Sequence, residues 1–110
     1  MKIAVVGSRE IYNISIGEHI SPECDELISG GAKGVDTLVK KYAVENNIKI
    51  TELMPKYNKY GRAAPIVRNK LIVDLSDEVV AFWNGKSRGT KWVIDYCKKT
   101  GKSCKVIICN

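Results

Sequence analysis

Residues 25–54, DELISGGAKGVDTLVKKYAVENNIKITELM, decide how the whole chain is read. Asp25–Ser29 is a short apolar run of strand length, and Ser29-Gly30-Gly31-Ala32-Lys33-Gly34 breaks it with three glycines. From Val35 onward, Val35, Leu38, Val39, Tyr42 and Ala43 recur at i, i+3, i+4, i+7 and i+8. That spacing predicts an amphipathic helix ending near Asn46-Asn47. Ile48–Met54 then returns to strand composition. A strand, a helix and a second strand within this span form a βαβ unit, which joins parallel strands through a right-handed crossover.

The same alternation continues on both sides. Lys2–Val6, Glu78–Trp83 and Cys104–Cys109 are further runs rich in Ile, Val or aromatic residues, which makes five strands. Pro65 suits the first turn of a helix, and Val67, Leu71, Ile72 and Leu75 give it an apolar stripe from about Arg62 or Pro65 to Leu75. Ser87 is placed to cap a helix from Arg88 to about Thr100, with Gly101 as its stop signal. Residues 11–22 connect the first two strands, with a short helix read over Ser15–Ile20. The predicted fold is α/β: a three-layer, Rossmann-like open parallel sheet of five strands in the order 3-2-1-4-5, with helices on both faces. Residues 1–110 form one domain of a size that supports its own core.

Composition narrows the function classes. The chain is 45% hydrophobic and 27% charged, the balance of an ordinary globular protein. Its longest apolar runs fall far short of the roughly 20 residues a membrane-spanning helix needs, and no basic-then-apolar leader opens it, so a cytoplasmic protein without a membrane partner is expected. Cys24, Cys97, Cys104 and Cys109 form no C-x-x-C pair and His19 is the single histidine, so no metal site is expected and the thiols read as buried and inert. The net charge of +6 is uneven. Residues 1–83 hold eleven basic against eleven acidic residues, and residues 84–110 hold seven against one. A basic C-terminal quarter favours anionic partners, including nucleic acid through Lys98, Lys99, Lys102 and Lys105; its other reading is a solvated helix face.

In open parallel sheets, ligands bind at the carboxyl ends of the strands, next to the point where strand order reverses. Three segments that follow strands are unlike ordinary turns: Gly7-Ser8-Arg9, then Ser29-Gly30-Gly31-Ala32-Lys33-Gly34-Val35-Asp36, then Asn84-Gly85-Lys86-Ser87-Arg88-Gly89-Thr90. Glycines let backbone N–H groups approach an anion, and the helices starting near Gly34 and Arg88 add free first-turn donors and a partial positive charge. Ser29, Ser87 and Thr90 add hydroxyls, and Arg9 and Arg88 offer forked donors. Asp36, in a first helical turn, serves either as a helix-end charge or as a ligand contact, and Arg68-Asn69 borders the stripe of its helix in a way that brings it toward the pocket. Tyr57, Tyr60, Trp83 and Trp92 are candidates to stack on a base, with Trp92 better suited to the core. Asp95 reads as an exposed partner of Lys91, Lys98 or Lys99.

Standard motifs fail by position. Gly85-Lys86-Ser87 resembles the end of a P-loop, but Val80 stands where its first glycine belongs. No G-x-G-x-x-G follows the first strand, and Ser8 is not in a G-x-S-x-G elbow.

Taken together, Gly7-Ser8-Arg9, Ser29-Gly30-Gly31-Ala32-x-Gly34-x-Asp36, Arg68-Asn69 and Ser87-x-Gly89-Thr90 resemble the SLOG superfamily, and within it the small single-domain YpsA-like proteins. The resemblance spans nearly the whole chain in order. It implies a Rossmann-like sheet binding a nucleotide or nucleotide-derived ligand through Gly7, Ser8, Arg9, Ser29, Gly30, Gly31, Ala32, Gly34, Asp36, Arg68, Asn69, Ser87, Gly89 and Thr90, to which the loop reading adds Gly85 and Arg88, with no further cofactor required. The superfamily also contains DNA-processing protein A, which binds single-stranded DNA, and the Lonely Guy phosphoribohydrolases. The latter carry P-G-G-x-G-T-x-x-E, whereas here Gly89-Thr90 is followed by Lys91, Trp92 and Val93, so the catalytic glutamate is missing. Three readings stay open: a nucleotide-binding sensor or carrier, an N-glycosidic nucleotide hydrolase with Asp36 as its acid–base group, and a nucleic-acid-binding module. Relatives pair through helices, which leaves a homodimer open.

Overall fold

Alternating side chains along each strand feed two apolar layers, and the sheet forms between them. The computed structural model describes residues 1–31 and 33–109; the expected ligand residue Ala32 lies outside them. Its strands are β1 (Lys2–Gly7), β2 (Glu26–Ser29), β3 (Lys49–Glu52), β4 (Glu78–Trp83) and β5 (Cys104–Ile108). They form one sheet in the order β3-β2-β1-β4-β5, with every neighbouring pair parallel, as expected for a Rossmann-like α/β fold. The helices are α1 (Val35–Glu45), α2 (Tyr57–Tyr60), α3 (Ala64–Leu75) and α4 (Arg88–Thr100).

Ile3, Val5, Leu27, Val80 and Phe82 face one layer, where they pack with Val35, Val39 and Ala43 of α1. Ala4, Val6, Ile28, Val79 and Ala81 face the other, against Ile72 and Val73 of α3 and Val93, Ile94 and Cys97 of α4. The order reverses between β1 and β4, whose register runs from Ile3 opposite Glu78 to Gly7 opposite Phe82. The carboxyl ends of these two central strands therefore finish level, with helix N-termini around them.

Several local expectations shift. Residues 11–22 contain only a 3₁₀ turn at Gly17–His19 in place of the short helix expected over Ser15–Ile20, and Ile16 and Ile20 plug the α1 layer individually. The short α2 has no counterpart in the sequence, whereas the 3₁₀ turn Gly61–Ala63 runs directly into α3 and covers the earlier of the two expected starts, Arg62. Helix α3 is rotated from the expected stripe: Ile72 and Val73 are buried, whereas Leu71 and Leu75 are 45% and 49% exposed. Apolar residues occur all around this helix, so their spacing does not fix the buried face. With Ile72 and Val73 against the sheet, Arg68 and Asn69 lie one turn earlier on the same face, beside the carboxyl edge.

Helix α4 starts as expected. Ser87 Oγ accepts from the Thr90 N–H at 3.4 Å, and Gly101 closes the helix in the left-handed conformation. Trp92 is partly exposed and stacks on Tyr96 with ring centroids 5.1 Å apart, and Lys91 pairs with Asp95 at 2.9 Å. The four thiols are free; burial pushes Cys97 up to about 12 and raises the other three, which keeps them protonated and weakly nucleophilic at neutral pH. Among the described residues, no helix is long and apolar enough to cross a membrane, and no three His, Cys, Asp or Glu side chains are grouped to hold a metal ion.

The turn into α1 depends on Gly34. Its φ is +73°, and a Cβ there would sit 2.4 Å from the Arg9 carbonyl oxygen and 2.8 Å from that of Ser8. Both neighbours are backbone, so the clash cannot be relieved by a rotamer change. Gly34→Ala is expected to cost about 2 kcal/mol and lower Tm by about 10 °C in a melt followed by circular dichroism. An unchanged Tm would show that α1 does not need this close approach.

Candidate anion-binding cleft

Ser8 joins the two central strands. It is 2% exposed, its N–H donates to the Phe82 carbonyl at 3.2 Å, and its hydroxyl accepts from the Asn84 N–H at 3.4 Å. Asn84 in turn shapes the next loop. Its Oδ1 accepts from the N–H groups of Lys86 and Ser87, both at 2.9 Å, an Asx turn that sends the chain into α4. The Trp83 indole N–H donates to the Ser87 carbonyl at 3.0 Å and anchors the same turn from the sheet side.

Between these turns and α3 lies a cleft of about 520 Å³, within the size range of small-molecule sites. Of the residues singled out in the sequence, Gly7, Ser8, Arg9, Gly30, Asp36, Arg68, Asn69, Ser87, Gly89 and Thr90 line it. Ser29, Gly31, Gly34, Gly85 and Arg88 are outside this lining. Ser29 is fully buried and accepts from the Gly31 N–H at 3.3 Å. Gly31 adjoins the side chains of Met54 and Glu52, 2.5 and 3.0 Å from where its Cβ would stand, and Gly34 serves the backbone contact described above. The glycines of this loop thus provide room for protein. Gly30 makes space for Arg68, whose Nη1 would lie 2.7 Å from an added Cβ, and Gly7 makes space for Val35.

Arg68 is the polar centre of the cleft. Its Nη1 donates to the carbonyls of Gly30 at 3.1 Å and Leu53 at 3.4 Å, and its Nε donates to Asn69 Oδ1 at 2.8 Å. It therefore ties the ends of β2 and β3 to α3. Burial lowers its pKa from the usual arginine value; the charges of Asp36 and Tyr57 oppose this, and nearby Arg9 adds to the lowering. Asp36, 9% exposed, is the buried carboxylate near it. Two guanidinium groups thus sense each other across a space bordered by Lys86 and the first turn of α4. The N–H groups of Arg88 and Gly89 belong to that turn, where a helix has no acceptors of its own. Val6, Ile72 and Val93 give the cleft an apolar floor.

Glu10, Asn84 and Lys86 also line the cleft without having been assigned to it from sequence. Asn84 and Lys86 were within a segment already marked, and an Asn-Gly pair after a strand signals the turn that brings them there. Glu10 directly follows Gly7-Ser8-Arg9, but no spacing rule distinguishes it from a solvated surface acid.

Gly89 tests the geometry directly. It is the second residue of α4, and a Cβ there meets nothing within 4 Å. Gly89→Leu should leave folding stability within about 0.5 kcal/mol while lowering affinity for inorganic pyrophosphate by at least about tenfold in calorimetry. Equal affinity would place the anion away from the start of α4. No protein-family model matches the chain, and no curated protein or solved structure is significantly similar to it.

Proposed function

We propose that this protein binds a nucleotide or nucleotide-derived phosphate ligand in the cleft, as a sensor or carrier module of the SLOG type. One observation carries the reading: half-buried Arg68, whose charge burial and Arg9 disfavour and Asp36 favours, shares the cleft with Arg9 and Lys86 at a place where α4 presents its N-terminus. A bound phosphate relieves that repulsion, accepts from forked donors and first-turn N–H groups, and gains from the helix dipole. The apolar floor and the flanking hydroxyls of Ser87 and Thr90 suit the organic part and remaining oxygens of such a ligand.

The other readings have less support. Helix α4 separates Arg88 from Lys98 by ten residues, about 15 Å along the axis. The basic C-terminal quarter therefore divides between the cleft and the opposite edge of the sheet, and Lys102 is engaged with the Ser76 carbonyl. N-glycosidic hydrolysis rests on Asp36, which lines the cleft near Arg68, while Val93 stands where the Lonely Guy pattern has its glutamate.

A thermal-shift screen against mononucleotides, cyclic nucleotides, NAD, ADP-ribose and short single-stranded DNA tests the proposal. A nucleotide at a hundred times its Kd should stabilise the native state by about 2.7 kcal/mol, which raises Tm by about 10 °C, and Arg9→Gln should reduce that shift. No shift with any nucleotide, or a shift with DNA alone that salt abolishes, would overturn it.

A further inference from the structure

The cleft has a neighbour on the other side of the central strands. A second cavity of about 500 Å³ lies between residues 10–19 and the ends of β4 and β5. Its walls include Ile14, Phe82 and Ile107, with Tyr12 and His19 as its polar aromatic groups. His19 stands edge-on to Phe82 with ring centroids 5.3 Å apart, and Tyr12 is 55% exposed at the cavity. Glu10 and Asn84, which follow β1 and β4, border both cavities, so the two spaces adjoin at the ends of these strands.

The two spaces differ in charge. Arg9, Arg68 and Lys86 line the first and outnumber its acids Glu10 and Asp36, whereas among the described residues no lysine or arginine lines the second, where Glu10 and Glu18 stand. A phosphate is therefore favoured in the first and disfavoured in the second. Aromatic and apolar walls with polar tips at the rim suit a flat, uncharged, hydrogen-bonding ring.

Resting on the phosphate-ligand reading above, we propose that the ligand lies across the carboxyl ends of β1 and β4, with its phosphate in the first cleft and its base in the second cavity. Tyr12 and His19 then become the residues that select the base, and the strand-order reversal becomes a saddle over which the ligand passes. This arrangement gives one site two independent contributions: charge on one side of the sheet, and ring packing on the other.

Calorimetry on the full chain with ADP-ribose and with inorganic pyrophosphate, which has no base, separates the two contributions. Tyr12→Ala removes a ring, and Ser15→Trp fills the cavity from an exposed position that lines it. ADP-ribose should bind at least about tenfold more tightly than pyrophosphate; each variant should erase that advantage and leave pyrophosphate affinity unchanged. Pyrophosphate binding with no advantage for ADP-ribose, or an advantage that both variants retain, would overturn the second-cavity assignment and leave the phosphate reading intact. Binding of neither probe would overturn both.

Discussion

The carboxyl ends of β1 and β4 meet at Ser8, where polar backbone has to be satisfied without water. Ser8 donates to Phe82 and accepts from both Asn84 and Ile11, through its hydroxyl and its carbonyl respectively. Gly34 presses against the same stretch, so the entry to α1 is set by the position of Ser8 and Arg9. Asn84 passes the constraint to α4, whose capping serine follows three residues later. Helix N-termini and arginines converge on one edge because these contacts fix where α1 and α4 begin relative to the central strands.

The same edge gathers Arg9, Arg68 and Lys86 with Asp36 and Glu10 in a space with an apolar floor. Arg68 combines a structural role, shown by its bonds, with the binding role proposed for it. Its bonds to Gly30 and Leu53 hold two strand ends together, and its charge remains near Arg9 in partial burial. A guanidinium can do both because its donors point in several directions and its charge is delocalised. The loop glycines belong to this arrangement in an indirect way: Gly30 lets the arginine in, whereas Gly89 leaves space that no protein atom fills.

Much of the architecture was legible because its signals are periodic. The stripe from Val35 to Ala43 and the unbroken apolar runs of β1 and β4, strands buried on both faces, mark a parallel α/β sheet, and the strand order expected for it is the one observed. Helix α3 was less legible because Ile66, Val67, Leu71, Ile72, Val73 and Leu75 surround it, and only contact with the sheet chooses Ile72 and Val73. The candidate cleft was legible as a set of loops and less so residue by residue. Glycine-rich segments indicated the edge, yet whether a glycine faces a ligand or a neighbouring side chain depends on distances that sequence does not contain; Gly31 and Gly34 face protein. The second cavity had no sequence signature, since Tyr12 and His19 come from an irregular connection and meet Phe82 and Ile107 from strands far along the chain.

Amide chemical-shift mapping during titration with ADP-ribose tests the proposed anion site where β1, α3 and α4 converge. Shifts at Ser8, Arg9, Gly30 and Ser87–Thr90 should saturate together, with the amides of Lys98, Lys99 and Lys102 unmoved. Shifts confined to those lysines, or no saturable shifts at the edge formed around Ser8, would contradict it.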